Sequence, residues 1–208
     1  MRRRVINYDS SPPSITYTDN DGQNTAVATH TFTSKAIGAA HPTRRAIVTV
    51  AYFAASATCT ATIAGISATE ITGAARNNGN ARLRMFIADV PTGTTATVVI
   101  TQGAAGPCYI GVYSALNLLS AIATDATTDG VAYPMSLSVS DRGVAVGMAY
   151  IDAIGESWLW GGLTEVFDAA PAATYSGATY TATTPTTLSI TAVPSRGGTS
   201  ARIAASFR

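Results

Sequence analysis

The sequence predicts an all-β protein, an antiparallel two-sheet sandwich that is jelly-roll-like and begins with an extended N-terminal arm. Short runs rich in Val, Ile, Thr and Tyr recur along the chain, and turn residues separate them. Apolar residues nowhere keep a helical spacing for more than about one turn. The 208 residues, of which 47% are hydrophobic, are sufficient for one large sandwich with a sizeable core.

The arm is expected to comprise residues 1–25, and the sandwich residues 26–208. Ser10–Pro13 excludes a helix, and the run Asp19–Gly22 is typical of a turn. Alternate Asp residues also suit calcium, but the glycine comes too early and His30 stands where a bidentate Glu should bind the ion. A plain turn is therefore the better interpretation, and no metal site or cofactor is predicted.

The strongest predicted strand is Arg45–Phe53, which is apolar on both faces and so belongs in the middle of a sandwich. Cys108–Leu116 has the alternating pattern of a second strand. Turn residues at Ala64–Gly65, Asn78–Gly79 and Ser140–Gly143 predict hairpins between the strands that flank them.

Two further connections are expected. Pro194–Gly198 joins the last two predicted strands. Ala115–Thr124 is the best candidate for a helix, and the alternative is a loop that crosses the domain.

Only 12% of the residues are charged, about half the usual share in soluble domains, and Lys35 is the single lysine. A surface short of charge has little repulsion to keep copies apart, so the composition fits a repeating part of an assembly better than a free monomer. The net charge of +1 provides no field for nucleic acid or an acidic membrane, and neither is a predicted partner.

No apolar run is long enough for a signal peptide or a membrane span, which predicts folding in the cytoplasm. Cys59 and Cys108 are too few for a disulfide framework. Buried free thiols are the preferred interpretation, and a disulfide between adjacent strands is the alternative.

No catalytic residue is predicted, and the chain is not expected to be an enzyme. His30 and His41 are isolated, and neither has the spacing of a zinc ligand. Paired carboxylates are the strongest catalytic pattern, because glycosidases place two of them across a sugar. Ordinary loop residues remain the preferred interpretation of the acids concerned, which are Asp152, Glu156, Glu165 and Asp168 around the two tryptophans, with Asp125 and Asp129 in a nearby loop region.

Three groups of residues could bind a partner. Arg2, Arg3 and Arg4 either form a solvated terminus or are the residues with which the arm binds a partner. Trp158 and Trp160 share one face of a strand, where they either pack in the core or between subunits, or stack on sugar rings. The last pair, Arg82 and Arg84, forms either a solvated face or an inter-subunit patch that bonds carboxylates.

Phe32–Arg45 and Val90–Val98, together with Thr/Ala/Gly-rich strands and the near absence of lysine, resemble small virion proteins of tailed bacteriophages. The resemblance is one of composition and texture, and these stretches cover under a quarter of the chain. It implies a jelly-roll decoration, head-fibre or tail-associated protein that is assembled in the host cytoplasm.

The leading hypothesis is a virion structural protein whose arm docks on the particle and whose sandwich packs with copies of itself. Its partners would be other virion proteins and itself. The alternative is a carbohydrate- or receptor-binding module that uses exposed Trp and Tyr side chains on a host surface glycan.

Overall fold

A computed structural model describes residues 11–129 and 133–208 of the chain. These residues form antiparallel strands, one 3-10 turn at Thr72–Ala74 and no α-helix, which confirms the all-β sandwich. In chain order the strands are β1 (Ser14–Ala36), β2 (Arg45–Phe53), β3 (Cys59–Ile63), β4 (Ile66–Ser67), β5 (Thr69–Glu70), β6 (Arg76–Asn78), β7 (Ala81–Asp89), β8 (Thr95–Leu116), β9 (Asp125–Thr128), β10 (Met135–Val139), β11 (Val144–Ile151), β12 (Trp158–Gly161), β13 (Thr164–Ala169), β14 (Thr174–Thr181), β15 (Thr186–Pro194) and β16 (Ser200–Phe207).

The first half of the chain, through β8, is one eight-stranded sheet that folds over on itself. The bend of the sheet lies within β8, because the first part of this strand pairs with β3 whereas its second part pairs with β2. β1 pairs with β8 along both parts. A side chain at Gly106, at the bend, would lie 2.0 Å from the carbonyl oxygen of Phe53, so this close approach requires glycine.

The folded sheet encloses an apolar cluster between its two layers. Val48 and Val50 of β2 point into this cluster, whereas Ile47 and Ala51 point to the opposite face of the sheet. Both faces of β2 are therefore buried, as its sequence predicts.

The second half of the chain forms two sheets that pack face to face. One has the strand order β13-β14-β11-β16-β9 and the other β10-β15-β12. Leu137 and Ile190 of the three-stranded sheet pack against Ala145, Ala178 and Ala204 of the five-stranded sheet. Alanine on one side allows the two sheets to approach closely.

The protein therefore has three sheets where two were expected. The turn at Ser140–Gly143 is present, with a hydrogen bond of 2.9 Å from Gly143 N to Ser140 O. It connects β10 and β11, which lie in different sheets, so the predicted hairpin is wrong. The turns at Ala64–Gly65 and Gly79–Asn80 do join paired strands.

An aromatic layer joins the two halves of the chain. Tyr109 and Tyr113 lie on the outer face of the folded sheet, and Phe167 and Tyr175 lie on the five-stranded sheet. The ring centroids of Tyr109 and Tyr175 are 5.1 Å apart, and Tyr17 of β1 stacks on Phe167 at 5.0 Å. Aromatic pairs at these separations stabilise a core beyond the area that they bury. Both halves thus share one hydrophobic core.

The predicted turn at Asp19–Gly22 is wrong, because these residues lie in β1 opposite β8. Their charges are neutralised within the strand. Lys35 Nζ lies 2.8 Å from Asp21 Oδ2, and Asp19 Oδ2 accepts a hydrogen bond of 2.9 Å from Ala36 N. Because the sheet folds over, the two parts of β1 meet and their polar side chains pair.

The expected arm of residues 1–25 changes accordingly. Residues 14–25 belong to β1, and Ser14–Gln23 is paired with β8. Residues 1–10, which include Arg2, Arg3 and Arg4, lie outside the described residues.

The helix considered at Ala115–Thr124 is wrong, and the loop crossing is confirmed. β8 ends at Leu116, and a loop carries the chain to β9 in the second half. Leu119 N donates to Arg208 O at 2.5 Å, and Thr124 N donates to Ser206 O at 2.7 Å. The loop therefore runs alongside the end of β16.

Gly177→Ala tests the aromatic layer. The added Cβ would lie 2.2 Å from both Phe167 Cε1 and Tyr113 Oη, and the rings are held by their neighbours. We expect a loss of about 1–3 kcal/mol in the free energy of unfolding, measured by urea denaturation. Gly197→Ala is the matched control, because no atom lies within 4 Å of its added carbon. Equal stability of the two variants would contradict the packing described.

Candidate functional site

The two tryptophans lie on the face of β12 that packs against the five-stranded sheet. Trp158 is 5% exposed and contacts Ala149, Ile151 and Ala192. Trp160 is half-buried, and its Nε1 donates to Ser176 Oγ at 2.8 Å. The core-packing interpretation is confirmed. The sugar-stacking interpretation is wrong for Trp158, since its ring has no open face for a sugar.

Trp158 also borders a buried ion network that the sequence did not reveal. Asp129 accepts hydrogen bonds from Arg76 Nε at 2.7 Å and from Arg202 Nη1 at 2.8 Å. The Arg202 guanidinium lies over the rings of Tyr133 and Trp158, at 5.0 and 5.3 Å from their centroids. Cation–π contacts of this kind strengthen when they are removed from water.

The network ties the three sheets together. Arg76 belongs to the folded sheet and Arg202 to the five-stranded sheet, while Arg202 Nε donates to Ala192 O in the three-stranded sheet at 2.5 Å. Sequence pattern alone could not find this site, because its residues are far apart along the chain. Its role is to hold the sheets in register.

Arg82 and Arg84 are buried, so the expected solvated face is wrong. Arg82 donates to Ala54 O and Ala55 O, both at 2.9 Å. Arg84 donates to Ala57 O at 2.7 Å, and its Nε lies 3.2 Å from Glu70 Oε1. The guanidinium groups bind the loop after β2 in their own chain, which also removes the reason for an inter-subunit patch.

Arg44 is a further buried arginine. It donates to the carbonyl oxygens of Val90, Gly38, Ala39 and Thr92 at 2.6–2.8 Å. Burial lowers the pKa of its guanidinium group. These bonds fix the loop before β2 to the loop before β8.

Two of the four carboxylates near the tryptophans, Glu156 and Asp168, have hydrogen-bond partners in the chain, and the other two, Asp152 and Glu165, are exposed. Glu156 is buried and accepts a hydrogen bond of 2.5 Å from Ser195 Oγ. Asp168 Oδ2 accepts a hydrogen bond of 3.0 Å from Trp158 N. Burial raises the pKa of Asp168, and burial together with the nearby charge of Asp168 raises the pKa of Glu165.

A cavity of about 360 Å³ lies beside Trp158, and its described lining contains no carboxylate. The geometry that two-carboxylate hydrolysis needs, two acids across a cleft, is not found in this lining. The residues that line it are Ser157, Trp158, Leu159, Val193, Pro194 and Ser195.

Cys59 and Cys108 are free and buried, which confirms the buried-thiol interpretation. Burial raises the pKa of the Cys59 thiol to about 12 and also raises that of Cys108, so both stay protonated at neutral pH. His30 is fully buried, with Nε2 2.8 Å from Gly106 O and Nδ1 3.0 Å from Gln23 Oε1. It therefore helps to hold the bend of β8.

The described residues contain no group of three or more His, Cys, Asp or Glu side chains arranged to hold a metal ion. In residues 11–129 and 133–208 there is also no helix with the length and hydropathy needed to cross a membrane.

The surface carries even less charge than the composition suggests. Among the arginines in the described part of the chain, only Arg142, Arg196 and Arg208 are exposed. The outer face of the three-stranded sheet is built from Ser, Thr, Leu and Val, and strands β10, β12 and β15 contain no charged residue. Several large apolar side chains are exposed: Val27, Ile66, Leu119, Ile122, Tyr133, Ile154, Leu159 and Val193.

Comparison of the chain with known protein families, with curated proteins and with solved structures found no match. Because no known protein suggests a function, the function is inferred from the surface of this protein.

Asp129→Asn tests the ion network. The Asp129 side chain is 8% exposed, and its replacement leaves the partly buried guanidinium groups of Arg76 and Arg202 without a carboxylate. We expect the free energy of unfolding to fall by about 3 kcal/mol, measured by urea denaturation. Asp89→Asn is the matched control, because Asp89 also pairs with an arginine but its side chain is 71% exposed. Its effect should stay below about 1 kcal/mol, and equal losses would contradict a special role of Asp129.

Proposed function

We propose that this protein is a structural component of a particle, a virion structural protein that packs with copies of itself. The observation that carries the proposal is the placement of charge. Arg44, Arg82 and Arg84 are buried, and the Asp129 network buries more charge between the sheets. The rest of the described surface is rich in Thr, Ser and Ala and has exposed Leu and Ile side chains. The exposed charged residues of the described chain are Asp89, Arg142, Asp152, Glu165, Asp168, Arg196 and Arg208.

Such a surface favours self-association for a physical reason. The net charge is +1, so copies of the chain repel each other weakly. Exposed apolar groups lose contact with water when two copies meet, and each Å² buried contributes about 25 cal/mol. Small hydroxyl side chains lose little conformational entropy on burial, which also favours close contact.

The assignment to a bacteriophage virion rests on the resemblance of Phe32–Arg45 and Val90–Val98 to small virion proteins. In the fold these two stretches meet, because Arg44 of the first donates to the carbonyl oxygens of Val90 and Thr92 in the second. The proposal includes assembly in the host cytoplasm, on a capsid, neck or tail.

The N-terminal residues would attach the protein to its particle. The described chain begins at Ser11, and Ser11–Pro13 lines a cavity together with Asp141, Arg142 and Arg208. Arg2, Arg3 and Arg4 would bind acidic groups of a neighbouring virion protein, to which arginine is well suited.

The glycan-binding alternative has lost its main support, because Trp158 is buried and Trp160 is half-buried and bonded to Ser176. No other observation favours it, and host glycan is not proposed as a partner.

The test is incorporation into particles. Deletion of residues 2–10, or replacement of Arg2, Arg3 and Arg4 by Gln, should leave the stability unchanged and greatly reduce co-purification with particles from the infected host. The matched control replaces the exposed Arg142, Arg196 and Arg208 by Gln.

Normal incorporation of both arm variants would contradict the role of the arm. If the wild-type chain is absent from purified particles, the virion proposal itself is wrong.

A further inference from the structure

The turn between β6 and β7 contains the one Asn-Gly pair of the sequence, Asn78–Gly79. Gly79 is exposed, and its φ of 59° lies in the left-handed region that favours glycine. A Cβ added at Gly79 would meet no atom within 4 Å, so the space around this residue is open to solvent.

An asparagine that precedes glycine can modify itself, because the next residue has no side chain to hinder the reaction. The backbone nitrogen of Gly79 attacks Cγ of Asn78 and loses its proton. The Cγ–Nδ2 bond breaks, and Nδ2 leaves as ammonia, which closes a five-membered succinimide ring. Water then opens the ring at either carbonyl, so the product is aspartate or isoaspartate.

The fold restrains this reaction. Asn78 Nδ2 donates at 2.7 Å to the carbonyl oxygen of Ser200, the first residue of β16, and Asn78 pairs with Ala81 across the turn. The side-chain amide is therefore held against the second half of the chain. It must leave Ser200 before its Cγ can meet the nitrogen of Gly79, so the reaction requires a local separation of β6 from β16.

The acid product cannot make the bond that the amide makes. Nδ2 of Asn78 is the donor to Ser200 O, whereas a carboxylate can only accept. Aspartate at position 78 would place a negative charge against a carbonyl oxygen. Arg76 lies two residues earlier, on the same face of β6, and already pairs with Asp129 at 2.7 Å. Conversion therefore removes one of the contacts that hold β6 to the second half of the chain.

We infer that Asn78 is a site of spontaneous deamidation, that it reacts when β6 separates from β16, and that its conversion weakens this contact. The inference goes beyond the proposed function and does not depend on it. It uses only the turn at Asn78–Gly79 and the bond to Ser200, and no partner takes part.

The first experiment ages the full chain in mildly alkaline buffer, digests it, and measures the conversion of amide to acid at each asparagine by mass spectrometry. Asn78 should convert ahead of the others, and faster as the pH rises, since the Gly79 nitrogen must lose its proton. Asn77 and Asn80 are internal controls, because both are exposed in the same hairpin but neither precedes glycine. Equal conversion at the three positions would overturn the inference.

The second experiment tests the restraint by comparing rates at Asn78. The folded chain should convert at least about tenfold more slowly than the chain unfolded in guanidinium chloride, because only the locally opened fraction reacts. Asp129→Asn loosens the join between the sheets and should speed the reaction, whereas the exposed control Asp89→Asn should not. Equal rates in all these samples would overturn the inference, and so would a folded chain that never converts.

The third experiment tests the consequence with Asn78→Asp, which carries the product at once. Its urea midpoint should lie below that of the wild-type chain. Asn77→Asp is the matched control, since it adds the same charge one residue away. Asn77 Oδ1 accepts a hydrogen bond of 2.8 Å from Arg84 Nη2, and a carboxylate can accept it too, so this midpoint should not fall. Equal midpoints of Asn78→Asp and the wild-type chain would overturn the inference.

Discussion

The fold depends on the aromatic layer that joins its two halves. The folded sheet and the five-stranded sheet each bury one face in it, and glycine allows the rings to come close. Gly177 leaves room for Phe167 and Tyr113, and Gly22 leaves room for the ring of Tyr109. Without this layer each half would expose a broad apolar face, which water would penalise at about 25 cal/mol per Å².

Charged side chains inside the fold hold the loops and sheets that pack around this layer. The buried Arg44 and Arg84 donate to backbone carbonyls of loops that are not paired in a sheet. Asp129 binds arginines of different sheets and so joins the three sheets. The single lysine, Lys35, neutralises Asp21 where the two parts of β1 meet. A chain with 12% charged residues thus has little charge left for its surface, which is the observation behind the proposed self-association.

Periodic features could be predicted from the sequence, and long-range ones could not. β2 has apolar residues on both faces, so its central place follows from local pattern. A turn such as Ser140–Gly143 shows only that the chain reverses, and the sheet that the next strand joins depends on distant contacts. Asp19–Gly22 has the polarity of a turn, and its pairing with Lys35 exists only after the sheet has folded. Arg82 has the spacing of a solvated face, but Ala54 and Ala55 cover it.

Equilibrium unfolding in urea, followed by two probes, tests the shared core most directly. Trp158 and Trp160 report on the second half through fluorescence, and the free, buried Cys59 and Cys108 report on the first half through thiol labelling. If one core serves both halves, the two probes should give the same midpoint, because neither half can keep its buried face without the other. Two separate transitions, with thiols exposed while the tryptophan signal stays native or the reverse, would contradict a shared core.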